Sequence, residues 1–190
     1  MSAFDLSLEE RVRRMEDAEA IRNLVARYCF VIDDRDLEGI GDCFCEDGRF
    51  RSVDGKMDSR SRQEVMDQYH GRFEVLGPAN HLAHQHWVEL DPDDPDRATG
   101  KVSSHAEVVR NGKVMLSALR YDDVYRRDAD GQWRFLDRVL SFFYYVEPKD
   151  YVSVFDTSER NHAYDAPHAA DIPEGLESYQ AYYAAHPRRL

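Results

Sequence analysis

The 190-residue chain carries 25 Lys and Arg against 37 Asp and Glu, a formal net charge of −12, with 42% hydrophobic and 12% aromatic residues. That length suits one domain with an extension, and the apolar content excludes disorder throughout. The acidic balance repels phosphate backbones and anionic lipid, so neither nucleic acid nor a membrane is an expected partner.

The N-terminus, Met1 to Glu10, has no basic start and no apolar run, so neither a signal peptide nor a membrane span is expected. Ser7 followed three residues later by Glu10 is a capping-box pattern. It opens a charged helix through Met15 that leads directly into a core helix. There Ile21, Leu24, Val25, Tyr28, Cys29 and Ile32 recur at helical spacing and make one apolar stripe. Asp33-Asp34-Arg35-Asp36 is a polar break. Leu37 to Phe44 reads as a short second helix, Glu46-Asp47-Gly48 as a turn, and Arg49 to Val53 as a strand. Arg62 to Val75 is helical, with Val65, Met66, Tyr69 and Phe73 inward. Four long strands follow, over His81–Leu90, Ala98–Val109, Val114–Arg126 and Trp133–Val146. Asn111-Gly112 is the strongest hairpin signal in the chain. The acidic loop Asp91-Pro92-Asp93-Asp94-Pro95-Asp96 is a solvated, proline-stiffened turn without a calcium-loop pattern.

Helices first and a strand meander afterwards mean an α+β fold with helices packed on one sheet face. The composition shifts at Glu147, which divides the chain into a domain over residues 1–147 and an extension over 148–190. The extension holds Tyr151, Phe155, Tyr164, Tyr179, Tyr182 and Tyr183, too many aromatics for a disordered tail. It is expected to dock on its own or a neighbouring subunit. Cys29, Cys43 and Cys45 are an odd number with no framework spacing, which suggests reduced thiols and a cytoplasmic location.

Asp33 closes the row Val25, Cys29, Asp33 at intervals of four, which a helix stacks on one face. Burying a carboxylate alone is costly. Asp33 therefore either caps the helix end or needs a cation, hydrogen bonds or a raised pKa. His81-Leu82-Ala83-His84-Gln85-His86 invites a metal reading. Period-two geometry puts His84 and His86 on one face and His81 on the other, and no third ligand follows by spacing, so no metal is expected. Strand parity leaves His105 on either face. Neither a Gly-rich phosphate loop nor a nucleophile elbow is present, and no cofactor is expected.

The motif order resembles the SnoaL-like branch of the nuclear transport factor 2-like superfamily. Asp17 to Asp36, Cys43-Phe44-Cys45-Glu46-Asp47-Gly48, Asn80-His81 through Leu90, Ala98-Thr99-Gly100 and Asp130 to Phe135 carry the resemblance, which spans residues 8 to 146. It implies a cone-shaped α+β barrel, a curved mixed sheet wrapped around a pocket that the N-terminal helices close. Three members match best by pattern: bile-acid 7α-dehydratase, scytalone dehydratase and hexachlorocyclohexane dehydrochlorinase. In these a helix carboxylate, here at Asp33, supports a strand histidine, here at His81. The first two carry a helix tyrosine that Tyr28 matches, and the dehydrochlorinase a last-strand arginine that Arg138 matches. The dehydrochlorinase has a lysine where Tyr28 stands, which makes halide elimination the least expected of the three reactions.

The resemblance thus implies general acid–base work by an Asp33–His81 dyad. Tyr28 would donate to a substrate oxygen, and Arg138 would stabilise a developing enolate or oxyanion. Their alternatives are a core tyrosine with a satisfied hydroxyl and an ion pair with Asp33 or another sheet carboxylate. Trp87, Phe135 and Phe142, core aromatics by default, join His105 as candidate substrate-binding residues in an apolar pocket. The expected function is a cofactor-independent lyase of dehydratase type, acting on a hydrophobic ring-bearing small molecule. A steroid or polyketide isomerase or cyclase is the neighbouring alternative. Outside enzymes, the alternative is a non-catalytic ligand-binding cone or a structural subunit like the β subunits of ring-hydroxylating dioxygenases. Small cones of this branch are commonly trimers, so a homo-oligomer is expected, trimer over dimer, with Tyr151 and Phe155 buried.

Overall fold

A computed structural model describes residues 6–164 and 166–187. The capping box forms in full: the Ser7 hydroxyl accepts the Glu10 N–H at 3.2 Å, and the Glu10 carboxylate accepts the Ser7 N–H at 2.8 Å. From it α1 (Leu8–Asp33) runs unbroken for 26 residues, about 39 Å at the usual helical rise. No Gly or Pro interrupts it, so the charged and apolar stretches are one helix. Its buried row is Asp17, Ile21, Leu24, Val25, Tyr28, Val31 and Ile32. Arg35 then turns the chain at φ 62°, in the left-handed region. Its guanidinium donates to the Ile32 carbonyl at 2.8 Å and to the Gly77 carbonyl, which holds this corner against the sheet.

α2 (Leu37–Asp42) is shorter than expected, because Phe44 already belongs to β1 (Phe44–Ser52). The expected turn at Glu46-Asp47-Gly48 is instead a bulge inside that strand. Phe44 pairs with Phe135 and Arg49 with Asp137, with a register shift between them. A Cβ on Gly48 would lie 2.8 Å from the Cys45 carbonyl and 2.9 Å from the Phe135 carbonyl, so only glycine permits the approach. After β2 (Asp58–Ser59), α3 (Arg62–Phe73) starts on Ser61, whose hydroxyl accepts the Glu64 N–H. β3 (Leu76–Leu90) begins at Leu76 rather than at His81. Gly77-Pro78 reads as a breaker, yet β3 is an edge strand, where a proline's missing N–H is tolerated.

β4 (Arg97–Arg110), β5 (Lys113–Arg127) and β6 (Trp133–Val146) complete one six-stranded sheet in the order β2-β1-β6-β5-β4-β3. β1 and β6 pair in parallel and every other pair is antiparallel, so the sheet is mixed and the fold is α+β. Asn111 and Gly112, at φ 50° and 75°, make the β4–β5 hairpin with the positive φ values that its twist requires. α1 lies against β3 and β6, and α3 against β1. Between helices and sheet sits the core, with Ile21, Tyr28, Phe44, Phe50, Val102, Tyr125 and Phe135 almost wholly buried. Two short helices, α4 (Tyr151–Val154) and α5 (Glu177–Ala185), follow the sheet. Among the described residues no helix is long and apolar enough to cross a membrane.

Candidate active site

Asp33 is the last residue of α1, and its carboxylate reaches β3. Oδ1 lies 2.6 Å from His81 Nδ1, and Oδ2 accepts the His81 backbone N–H at 2.7 Å. A carboxylate next to Nδ1 holds the proton there, which leaves Nε2 with its lone pair as the working nitrogen. Burial pushes the Asp33 carboxyl up, but the hydrogen bonds from His81 outweigh it and hold the group below the ordinary carboxylate value. The charge therefore persists in a half-buried pair whose side chains are 18% and 15% exposed.

His81 lines a cavity between the helices and the inner sheet face, together with Ile32, Tyr69, Arg72, Leu119, Leu140 and Phe142. The cavity measures about 40 Å³, enough for a few waters. Tyr28 and Tyr69 join hydroxyl to hydroxyl. Tyr69 lies on the cavity wall, and Tyr28 is buried behind it. Burial pushes both phenols up, so both stay protonated donors at neutral pH. If Tyr28 donates to Tyr69, the Tyr69 proton is free for a ligand oxygen.

Arg138 does not line this cavity. It is fully buried, opposite Asp123 across the β5–β6 ladder. Nη2 donates to Asp123 Oδ2 at 3.2 Å, while Nε is 3.1 Å from Oδ1 but misaligned for a hydrogen bond. The guanidinium stacks on the rings of Tyr121 at 3.7 Å, Phe135 at 4.1 Å and Tyr28 at 4.4 Å. This is the ion-pair alternative, with Asp123 rather than Asp33 as the partner. The chain of polar groups continues outward. Tyr125 donates to Asp123 at 2.8 Å, and His86 Nε2 lies 3.0 Å from the Tyr125 hydroxyl. Burial pushes Asp123 up to about 6, against the pull of Arg138 and Tyr125. Burial pulls His86 down to about 4, with Arg138 and Arg22 adding to it, so its ring is neutral at neutral pH.

His86 thus shares the inner face with His81, contrary to simple alternation. The register shift between Ala83 and His86 inserts one residue and inverts the parity. His105 belongs on the outer face, in one cross-strand row with Leu82 and Ala118, and its ring packs against His84 and Tyr144. Trp87 is also outside, 60% exposed beside Lys101 and Asp122. Neither residue can touch a ligand bound at His81. Phe135 is buried beneath Arg138 in the core, and of the proposed aromatics only Phe142 reaches the cavity wall. Tyr69, Arg72, Tyr125 and Asp123 escaped the sequence reading as site residues. Tyr69 meets Tyr28 across 41 positions, and no local pattern reports such a contact. Among the described residues no group of three His, Cys, Asp or Glu side chains is placed to hold a metal.

The same architecture occurs in solved structures. A candidate scytalone dehydratase of Novosphingobium aromaticivorans superposes with a TM-score of 0.65 at 16% identity, covering 83% of this chain and 93% of that one. Hexachlorocyclohexane dehydrochlorinase LinA-type3 of Novosphingobium barchaimii gives 0.63 at 16%, covering 72% and 92%. An NTF2-like protein with a cystatin-like fold, also from N. aromaticivorans, gives 0.57 at 26%, covering 71% and 87%. No curated protein matches. The profile of the SnoaL-like domain matches residues 13–139, which take in Asp33, His81, Tyr28, Tyr69 and Arg138 but not Leu140, Phe142 or Tyr144. With that match over well more than half its length, the chain belongs to the SnoaL-like family.

Proposed function

We propose that this protein is a cofactor-independent lyase of the dehydratase type, acting on a hydrophobic ring-bearing small molecule. The observation that carries the reading is the Asp33–His81 pair, a helix carboxylate fixing a strand imidazole at 2.6 Å on the wall of an inner cavity. Nε2 would take the proton from a carbon beside a carbonyl, and the C–H electrons would move into an enolate. The Tyr28–Tyr69 hydroxyl pair would hold the enolate oxygen. The enolate electrons then form the carbon–carbon double bond as the neighbouring C–O bond breaks. The imidazolium returns its proton to the departing hydroxide, so water leaves and the histidine is restored. Two structural relatives bear the names of a dehydratase and a dehydrochlorinase, both eliminations, which agrees with this class.

A ring-bearing substrate does not fit a cavity of 40 Å³, since ligand pockets usually measure about 300 Å³ or more. Side chains at the mouth must therefore swing aside on binding. The same contraction favours a second reading, a cone that serves as a partner subunit and turns nothing over. Turnover separates the two. Ring-bearing β-hydroxy ketones become conjugated enones on losing water, so an absorbance assay reports elimination directly. His81→Ala should lower that rate by about 10²–10⁴-fold, and Asp33→Asn should do comparably while binding is largely kept. Folded variants that retain full turnover would sink the dyad. We also infer a homo-oligomer, trimer over dimer, and a reducing, cytoplasmic setting for the three free thiols.

A further inference from the structure

Arg72 sits in the last turn of α3 and lines the cavity that holds His81. Among the described residues its guanidinium has soft partners: Nη1 donates to the Met57 thioether at 3.2 Å, and the group lies 5.5 Å from the Tyr69 ring. A thioether is a weak acceptor, and no carboxylate comes within ion-pair distance of Arg72 among the described residues. The chain has carboxylates to spare, 37 against 25 cations. Arg126, Arg127, Arg134, Arg138 and Arg160 each hold at least one. Arg35 and Arg110 also lack a described carboxylate, but their guanidinium groups donate to backbone carbonyls, whereas Arg72 at the cavity is left with a thioether and a ring.

Its charge also reaches the cavity's phenols. Burial pushes Tyr69, Tyr121 and Tyr145 up, and Arg72 works against that shift in all three. Further cations stand at the same end of the cone. Lys56 lies 3.6 Å over the Tyr164 ring, and Arg110, 5.9 Å from it, donates to the Ala163 carbonyl. Asp54 and Asp171 are the carboxylates felt by Tyr164, and Asp171 is engaged by the Phe142 N–H at 2.7 Å. A helix-end arginine also complements the helix dipole. That explains its place on α3 but not why no carboxylate among the described residues pairs with it on a cavity wall.

We propose that Arg72 reads an anionic group on the substrate, and that the site takes a ring-bearing carboxylate. The proposal rests on the acid–base reading of Asp33 and His81, and it names the substrate class of that site. A guanidinium offers two parallel N–H donors that match a planar carboxylate. The apolar wall of Ile32, Leu119, Leu140 and Phe142 receives the ring, and His81 faces the carbon skeleton. On binding, Arg72 exchanges the Met57 sulfur for the carboxylate, which is the side-chain movement that a contracted cavity requires.

Calorimetry with naphthoate and naphthamide, equal in shape and different in charge, tests this on the intact chain. The native protein should bind naphthoate at least about tenfold more tightly, as expected for charge-assisted hydrogen bonds. Arg72→Gln should abolish the preference and leave naphthamide binding within about twofold, and Arg72→Lys should keep part of it. His81→Ala should keep the preference whether or not turnover is lost, so failure of the dyad and failure of anion recognition read out separately. Equal affinities in the native protein, no binding of naphthoate, or a preference that survives in folded Arg72→Gln would each overturn the proposal. The comparison in the native protein holds even where a variant does not fold.

Discussion

A carboxylate at the last residue of a helix faces the negative end of the helix dipole, so Asp33 starts at a disadvantage. Two hydrogen bonds from His81 reverse this, and the folded-state pKa falls below the ordinary value. The sign of the linkage follows. The stabilisation is fully present above the unfolded carboxylate pKa and is lost as pH falls through the lower, folded one. Melting temperatures should therefore drop more steeply for the native protein than for Asp33→Asn below about pH 4, and parallel curves would count against the pair. Arg138 and Asp123 pose a different case, because both side chains are wholly buried. Removing one partner strands the other charge, so Asp123→Asn should cost about 3–5 kcal/mol in denaturant unfolding. Replacing both, as Arg138→Met with Asp123→Leu, should recover most of that loss. A neutral Asp123→Asn would show that the aromatic rings alone hold the guanidinium.

At the level of elements, the helices and the hairpin were legible because local rules decide them. Ser7 and Glu10 specify the start of α1, and Asn111-Gly112 specifies the turn between β4 and β5. The dyad was legible only through the resemblance, since helical spacing aims Asp33 inward but cannot name a partner 48 residues away. Bulges were not legible. They hid β1 behind an apparent turn and placed His86 on the wrong face, because an extra residue leaves the composition of a strand unchanged. The bulge in β3 makes a sharp prediction. Its partner spans Ser104 to Val102 while β3 spans Ala83 to His86, so β3 carries one residue in surplus. Deleting Gln85 removes the surplus and keeps His81, His86 and Trp87 on their present faces. Deleting Leu82 leaves the surplus and slips one part of the strand against the other, which flips side chains across the sheet. The first deletion should shift the melting point by no more than about 4 °C, roughly 1 kcal/mol at this size. The second should unfold the protein or abolish the dyad. Equal tolerance of both would mean that β3 has no fixed register.

For the whole molecule, the extension decides whether the cone stands alone. It returns to its own chain: Asn161 bridges Tyr145 and His168, and Asp171 accepts the Phe142 N–H. Arg160, 3% exposed, binds Glu174 at 2.7 Å and the carbonyls of Phe143 and Ile172. Ala163, Ala170 and Ile172 are buried, and Tyr151 packs edge-on to Tyr144 outside the sheet. Phe155 stays 43% exposed in the single chain, as Val152 does at 87%, so its expected burial would need a neighbouring subunit. Truncation at Pro148 would uncover the outer side of β6 and leave the hydrogen-bonding groups of Phe142 and Tyr145 without their present partners. Each buried group so stranded costs about 1–3 kcal/mol, against a total domain stability of about 5–15 kcal/mol. The truncated chain should therefore melt far lower than the full chain or fail to fold, at concentrations where light scattering finds both in the same oligomeric state. Suppose instead that the truncated chain keeps its melting point but changes its mass. Then the extension serves assembly rather than the cone, and Phe155 and Val152 become the residues to substitute first.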